Sequence, residues 1–360
     1  MWLLLLLAAP AWAASAWTIP VGESAGPPPL DPLDAAWTGA PAAAVPLYPQ
    51  ATTAGGLSRA AESLRFSAYE SGVPLAGASP LLQEARVLRG GGKLALRLAW
   101  PDATADLADA KATDRFADAA AVQFAPAEPA GPGCAPVGAG LPAIARPEIA
   151  GKPAPTAAPT CRAGTLPYVG MGEPGRPVRV WLWRAGRPAE GLAAQGFGSL
   201  SQQPNESVET QARRTATGWV VVLRGELNAT DMAAGAIAFA AWDGAEDGRA
   251  GRKRLSAWRA LTKPGVEPDA RLLEEMRVTG DPARGARLYT EHGCAACHAP
   301  GVWIGPDLTH AGGIHWPGYL RRAIREPAAF LVPGYAAIMP ALPLRPEEVD
   351  DLVAYLLTLH

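Results

Sequence analysis

The chain has 360 residues, a formal net charge of −2, and acidic and basic residues scattered along its length. This length is too great for one small domain and predicts two domains with connections. No basic stripe marks the sequence, which argues against nucleic acid as a partner.

Residues 1–16 have the pattern of a secretory signal peptide. Five leucines, Leu3–Leu7, precede small residues that include Ala11-Trp12-Ala13, a typical cleavage site. An uncleaved anchor is the alternative, but the apolar run is shorter than the roughly 20 residues that a membrane span needs. We therefore predict export to the bacterial periplasm, with no membrane span left after cleavage.

Residues 17–262 are predicted to form a mainly β domain. Residues 93–100 alternate Leu or Trp with Lys, Ala and Arg, as a half-buried strand does. Further runs rich in Val, Ala or aromatic residues predict strands at 119–124, 177–184, 218–224 and 235–242. Because no amphipathic helices intervene, the expected fold is an antiparallel β-sandwich.

A long loop rich in Pro, Ala and Gly, residues 125–166, is predicted to interrupt this domain. It contains Cys134 and Cys161. In an exported protein such a pair favours a disulfide over a metal site, so we predict a structural bridge.

Residues 263–280 are predicted to be a linker to a small all-α domain, residues 281–360. Its first helix is expected at 281–292. Its last helix, 346–359, begins with a proline, carries two glutamates in its first turn and has apolar residues at helical spacing. This apolar stripe is expected to pack on the first helix.

The run Cys294-Ala295-Ala296-Cys297-His298 follows the first of these helices. Its spacing is that of covalent haem c attachment, in which both thiols form thioethers and the histidine becomes the proximal iron ligand. A half zinc site and a thioredoxin-like redox pair are the alternatives. Met339 is the candidate for the sixth iron ligand. The competing candidates are the remaining histidines, for which surface or packing roles are simpler: His292, His310, His315 and His360.

This C-terminal segment resembles class I cytochromes c over its whole length. The resemblance rests on Cys294 to His298, on Gly305-Pro306-Asp307-Leu308 and on Met339-Pro340. It implies that the Pro306 carbonyl accepts a hydrogen bond from the imidazole of His298, and that His298 and Met339 are the axial ligands.

All five histidines lie at position 292 or later, so a haem in the first domain would need other ligands. Spacing alone favours a core position for Met171. It also favours a place for Lys253 in a solvated cluster with the arginines around it.

Three segments, residues 116–124, 170–183 and 240–258, resemble the haem b subunit family of ethylbenzene dehydrogenase. That family comprises gamma subunits of periplasmic molybdenum enzymes related to dimethyl sulfoxide reductase. The resemblance implies a β-sandwich with one non-covalent haem b, held by Met171 and Lys253. Lysine binds iron only as the free amine, and removing its proton at pH 7 costs about 4.6 kcal/mol for a solvated side chain. Burial beside a cationic iron would lower the pKa of the amine and so reduce this cost.

These features together predict a periplasmic electron-transfer subunit with one covalent haem c and one haem b, and with no catalytic residues of its own. It would relay single electrons between the iron–sulfur subunit of a molybdoenzyme and a periplasmic or membrane-bound carrier. The alternatives are a ligand- or carbohydrate-binding sandwich tethered to a single-haem cytochrome c, and an independent two-haem shuttle.

Overall fold

The structure is a computed structural model, and it describes twelve parts of the chain. These are residues 17–50, 81–107, 115–125, 166, 171–172, 176–196, 199–226, 235–249, 251–263, 270–302, 304–332 and 335–360. The predicted signal peptide, Cys134 and Cys161 lie outside the described residues, as does nearly all of the predicted loop 125–166.

Thirteen strands in the described ranges are joined by backbone hydrogen bonds. They are β1 (Thr18–Glu23), β2 (Ala42–Pro49), β3 (Leu81–Gly90), β4 (Lys93–Pro101), β5 (Ala119–Phe124), β6 (Val178–Arg184), β7 (Glu190–Ala194), β8 (Ser201–Gln202), β9 (Val208–Arg214), β10 (Gly218–Glu226), β11 (Ala236–Trp242), β12 (Arg254–Leu255) and β13 (Arg259–Thr262). The five strands predicted from the sequence are confirmed as β4, β5, β6, β10 and β11.

The strands follow the order β8-β7-β6-β5-β11-β12-β2-β3-β4-β10-β9, and β13 pairs with β11. Among the described strands, the pairings are antiparallel except for two. Both exceptions belong to β1, which runs parallel to β13 through its first half and parallel to β3 through its second. The predicted strand-rich, essentially antiparallel fold is therefore confirmed, and β1 joins one layer of strands to the other.

The main core lies between a layer that contains β5, β6 and β11 and a layer that contains β3, β4 and β10. Inward residues of both layers, such as Phe124, Trp181, Leu96 and Val221, belong to one buried cluster. At one end Trp183 makes edge-on contacts with Trp100 and Trp219, with ring centroids 6.0 and 5.1 Å apart. Because successive side chains of a strand point to opposite faces, every second residue of each layer points into this core, and the two layers pack on each other through these residues.

A buried carboxylate, Asp118, ties three segments together at this end of the sandwich. It accepts hydrogen bonds from the indole N–H of Trp219 (2.9 Å) and from the backbone amides of Asp106 (2.8 Å) and Gly244 (2.9 Å). Carboxylate oxygens of Asp102, Asp118 and Asp243 lie within 4.8 Å of one another. The first of these, Asp102, is buried beside its acidic neighbours.

This cluster predicts a pH-dependent loss of stability. Burial, followed by the nearby charges of Asp118 and Asp243, raises the pKa of Asp102 from 3.8 to about 6. The folded protein therefore holds this proton more tightly than the unfolded chain, and stability falls as pH rises through that window. Relative to an Asp102→Asn variant, the wild type is expected to lose about 2 kcal/mol between roughly pH 4 and pH 7.

Urea unfolding of both proteins at the two pH values, with a chelator present to exclude divalent cations, measures this difference. A stability gap between wild type and Asp102→Asn that does not change with pH would contradict the prediction.

Seven α-helices lie in the described ranges, most of them in the C-terminal part. They are α1 (Ala36–Gly39), α2 (Ala270–Met276), α3 (Pro282–Glu291), α4 (Ala295–His298), α5 (Ala311–Ile314), α6 (Pro317–Arg325) and α7 (Pro346–Leu356). The two predicted helices are confirmed as α3 and α7. The segment predicted as a linker contains α2, which the sequence analysis did not assign.

The first and last helices of this part, α3 and α7, pack directly on each other, as expected. A Cβ at Gly285 would lie 2.0 Å from the carbonyl oxygen of Asp351, so only glycine permits this approach. Nearby, the rings of Tyr289 and Tyr355 have centroids 5.2 Å apart. Asp281 caps α3 by accepting from the backbone amides of Ala283 and Arg284.

The helical part also packs on the outer face of the β5–β6–β11 layer. Trp258 of the sandwich meets Trp316 edge-on, with ring centroids 6.4 Å apart. The indole N–H of Trp316 donates to the buried carboxylate of Glu275 (3.0 Å), which also accepts from Arg322 (2.5 Å). Arg322 in turn donates to the carbonyl oxygen of Leu166 (3.1 Å). No helix among the described residues is long and apolar enough to cross a membrane.

Candidate functional site

The imidazole of His298 is held in one orientation by the loop that follows the Cys-X-X-Cys-His run. Its Nδ1–H donates to the carbonyl oxygen of Pro306 at 2.7 Å. The backbone amide of Gly305 donates to the carbonyl oxygen of Cys297 (2.9 Å), which fixes the loop against α4. The hydrogen bond that the class I cytochrome c resemblance implies is therefore present. It leaves Nε2 of His298 as the nitrogen available to a metal.

Two glycines are required by this arrangement. Gly293 ends α3 with a φ of 66°, a conformation that suits glycine, and it delivers the chain into Cys294. A Cβ at Gly305 would lie 2.8 Å from Cε1 of His298, so a larger residue there would displace the ring. These two glycines therefore allow the chain to enclose the imidazole of His298 closely and to hold it in one orientation.

A cavity of about 400 Å³ opens in front of His298. Its wall is formed by the attachment run, by the loop after it and by the end of the chain, including Tyr289, Leu308, Leu359 and His360. A volume of this size is typical of a small-molecule or cofactor site. The side chains of Cys294 and Cys297 are partly buried and not bonded to each other, and burial raises the pKa of the Cys294 thiol.

Met339 is placed differently from His298. Its side chain is 39% exposed, and it is not among the residues that line the cavity. The described residues around it, 335–345, form no helix or strand. Its role as the sixth iron ligand stays a prediction.

A second candidate site lies on the outer face of the β5–β6–β11 layer. The outward residues of the two central strands are small: Ala119, Ala121, Ala236, Ala238 and Ala240. Short side chains allow a flat group to approach a sheet closely. On neighbouring residues two nitrogens are buried without a hydrogen-bond partner, Nε1 of Trp258 and Nε of Arg259. Both can donate to a carboxylate such as a haem propionate.

Lys253 lies at this face and is partly buried. Its Nζ lies 5.6 Å from the ring centroid of Trp242, and its carbonyl oxygen accepts from the backbone amide of Gln50 (2.9 Å). Burial lowers the pKa of Lys253 to about 8. Producing the free amine at pH 7 therefore costs less than it does for a solvated lysine.

Met171 packs against the same cluster of buried residues that Trp242 borders. Its carbonyl oxygen accepts from the backbone amide of Gly196 (2.8 Å). Gly172 follows with a φ of 74°, and a Cβ there would lie 2.6 Å from the carbonyl oxygen of Ala194. Met171 and Lys253, 82 positions apart in the sequence, are thus linked to the same buried cluster, Met171 by direct packing and Lys253 through Trp242.

Sequence reasoning missed the alanine-lined face and the residues that cover it. The alternation of alanine with larger residues in β11 was the available signal, since small residues on one side of a strand allow another layer to approach closely. Trp316 and Glu275 carried no such signal, because their roles depend on contacts between distant segments.

Two family models match the chain, and they divide it between the sandwich and the helical part. The ethylbenzene dehydrogenase model matches residues 34–219, which is just over half of the chain and includes Met171. The cytochrome c model matches residues 282–360, which include the attachment run and Met339. Lys253 lies between the two matched ranges.

Two curated relatives are similar to the chain. Chlorate reductase subunit gamma of Ideonella dechloratans is 34% identical over 180 residues, 48% of this chain and 60% of that protein. The "Putative respiratory nitrate reductase heme subunit ORF7" of Haloferax mediterranei is 31% identical over 242 residues, 64% of this chain and 67% of that protein. On the evidence of the fold and the family models, the chain belongs to the ethylbenzene dehydrogenase family and carries a cytochrome c domain in its C-terminal part.

Proposed function

We propose that this protein is a two-haem electron-transfer subunit, with haem c at His298 and haem b on the outer face of the sandwich. The observation that supports the proposal most directly is the fixed orientation of the His298 imidazole. Its imidazole is fixed by Pro306 and Gly305 at the edge of a cavity of about 400 Å³, directly after two cysteines at thioether spacing.

At the first site, Cys294 and Cys297 would anchor the haem c covalently, while His298 supplies Nε2 to the iron. The Pro306 carbonyl keeps the proton on Nδ1 and makes the imidazole a stronger donor. Met339 would be the second protein ligand to this iron. A methionine at that position favours ferrous iron and raises the reduction potential.

At the second site, Met171 and Lys253 would hold the haem b from the apolar layer over β5 and β11. The alanines of these strands provide a flat surface, and burial biases Lys253 toward the free amine. The buried N–H groups of Trp258 and Arg259 that have no partner would donate hydrogen bonds to the haem propionates. The residues present thus offer the donor types that the resemblance implies, a thioether from Met171 and an amine from Lys253.

Each bound haem iron takes up and releases one electron, and the protein supplies position and electrostatics. We propose that the subunit works in the periplasm. There it would relay single electrons between the iron–sulfur subunit of a molybdoenzyme and a periplasmic or membrane-bound carrier. Support for such a partner comes from the two relatives, whose names describe subunits of chlorate and nitrate reductases.

Haem analysis of the purified full chain tests this function. We expect one haem that stays with the protein after acid–acetone extraction and one that is extracted. In a Cys294→Ala, Cys297→Ala variant, the covalent haem should be lost and the extractable haem retained. A fully loaded wild-type protein with a single, non-extractable haem would instead favour a monohaem cytochrome joined to a ligand-binding sandwich.

A further inference from the structure

Tyr48 lies where the sandwich and the cytochrome c domain meet. It belongs to β2, and its backbone pairs with Leu255 of β12. Just beyond this pairing, at the end of β2 and before the start of β12, the backbone amide of Gln50 donates to the carbonyl oxygen of Lys253. The Tyr48 side chain is 7% exposed. It is therefore a buried ring on the strand that directly adjoins the proposed haem b ligand.

The cytochrome c domain surrounds this ring from the other side. The ring centroids of His310 and His360 lie 5.9 and 5.6 Å from that of Tyr48. The backbone of Gly313 is pressed against it, since a Cβ there would lie 2.0 Å from Cδ2 of the tyrosine. The contact is reinforced beside the ring, where the backbone amide of Ala257 donates to the carbonyl oxygen of Gly313 (3.0 Å).

One of these neighbours also belongs to the haem c cavity. His360 forms part of the cavity wall in front of His298, together with Leu359. The carbonyl oxygen of Leu359 accepts from the backbone amide of Gly312 (2.9 Å), so the end of the chain is tied to the segment that contacts Tyr48. The cavity wall, His360, Tyr48 and β12, which begins directly after Lys253, therefore follow one another in contact.

We propose that Tyr48 is the positioning residue that holds the haem c cavity against β12, the strand that begins directly after Lys253, and that electrons pass between the two haem sites across this contact. The inference rests on the proposed two-haem function. In the transfer, one electron leaves the ferrous iron of one haem and reduces the ferric iron of the other, and no bond or proton changes place. Because tunnelling slows steeply with distance and with gaps in packing, the rate depends on how closely the ring is held.

The ring, rather than the hydroxyl, makes the contacts described above. A Tyr48→Phe variant should therefore transfer electrons close to the wild-type rate. A Tyr48→Ala variant removes the ring from between His310, His360 and Gly313, and is expected to slow transfer between the haems. Gly313→Ala disturbs the same contact from the cytochrome c side, because the added Cβ would collide with the Tyr48 ring, and it should also slow transfer between the haems.

The experiment uses the full chain with both haems confirmed by extraction. Pulsed photoreduction measures the rate of electron exchange between haems, and amide hydrogen exchange at Ala257 reports docking independently of the haems. Trp37→Leu is the control, because Trp37 is equally buried but packs on Leu88 and Val222 elsewhere in the sandwich. It should lower stability without changing either readout.

Slower transfer and faster exchange at Ala257 in both Tyr48→Ala and Gly313→Ala, with neither change in Tyr48→Phe, would support the proposal. Wild-type transfer rates in fully loaded Tyr48→Ala and Gly313→Ala, or unchanged exchange at Ala257, would overturn it. Absence of haem b from the wild type would instead defeat the proposed function, so the two failures are distinguishable.

Discussion

Replacement of Lys253 by alanine is expected to remove the non-covalent haem b and to leave the covalent haem c in place. The variant lacks the only group on that side chain that can bind iron. Changes to residues that merely support a metal ligand already cost about 10- to 100-fold in affinity, so loss of a ligand is expected to cost more. Met171→Leu should have the same effect, since it keeps the apolar volume and removes the sulfur.

Acid–acetone extraction followed by haem quantitation measures this loss, and circular dichroism checks that the sandwich remains folded. Lys93→Ala is a matched control. Its Nζ pairs with Glu226 at 2.8 Å in the other layer of strands, so this variant should keep both haems. Retention of the extractable haem in Lys253→Ala, with an unchanged spectrum and potential, would rule out this ligand assignment.

Replacement of Glu275 by alanine is expected to destabilise the helical part strongly. Glu275 is 7% exposed and accepts from both Trp316 and Arg322. Its removal leaves the guanidinium of Arg322 without its buried counter-charge, and breaking such a pair costs about 3–5 kcal/mol. Because Trp316 packs on Trp258 of the sandwich, the loss should also loosen the contact between the domains.

Denaturant unfolding of the full chain measures the cost. Glu274→Ala is the control on the same helix, because Glu274 and its partner Arg277 are both more than half exposed. Such a surface pair contributes little, and its loss should leave the unfolding midpoint nearly unchanged. Equal midpoints for the two variants would show that the Glu275 cluster does not stabilise the fold.

Local patterns were sufficient to predict the longer elements. The alternation in 93–100 predicted β4, and the proline, glutamates and apolar stripe after residue 345 predicted α7. Short elements were not predicted, because whether they form depends on contacts with distant segments of the chain. β12 has two residues and is a strand only through β2 and β11, and α2 lies in a segment that was predicted as a linker.

The haem c attachment run was recognisable because its chemistry lies within five consecutive residues. Met171 and Lys253 became candidates through the resemblance to the haem b family. The structure adds that both border one apolar layer. The contact of Tyr48 with Gly313 could not have been predicted, since nothing in either local sequence indicates that strand β2 meets helix α5.

The parallel strand β1 has a consequence for the order of folding. Its first half pairs with residues 260–262 of β13, and its second half with residues 87–89 of β3. The first described strand of the sandwich therefore cannot complete its pairing until the last strand of that domain has been delivered. Such distant closure is slow, because the chain must lose a large loop entropy before the contact forms. Until then β1 and β13 leave open backbone edges, and a chain stalled before residue 259 would be exposed to misassembly with its neighbours.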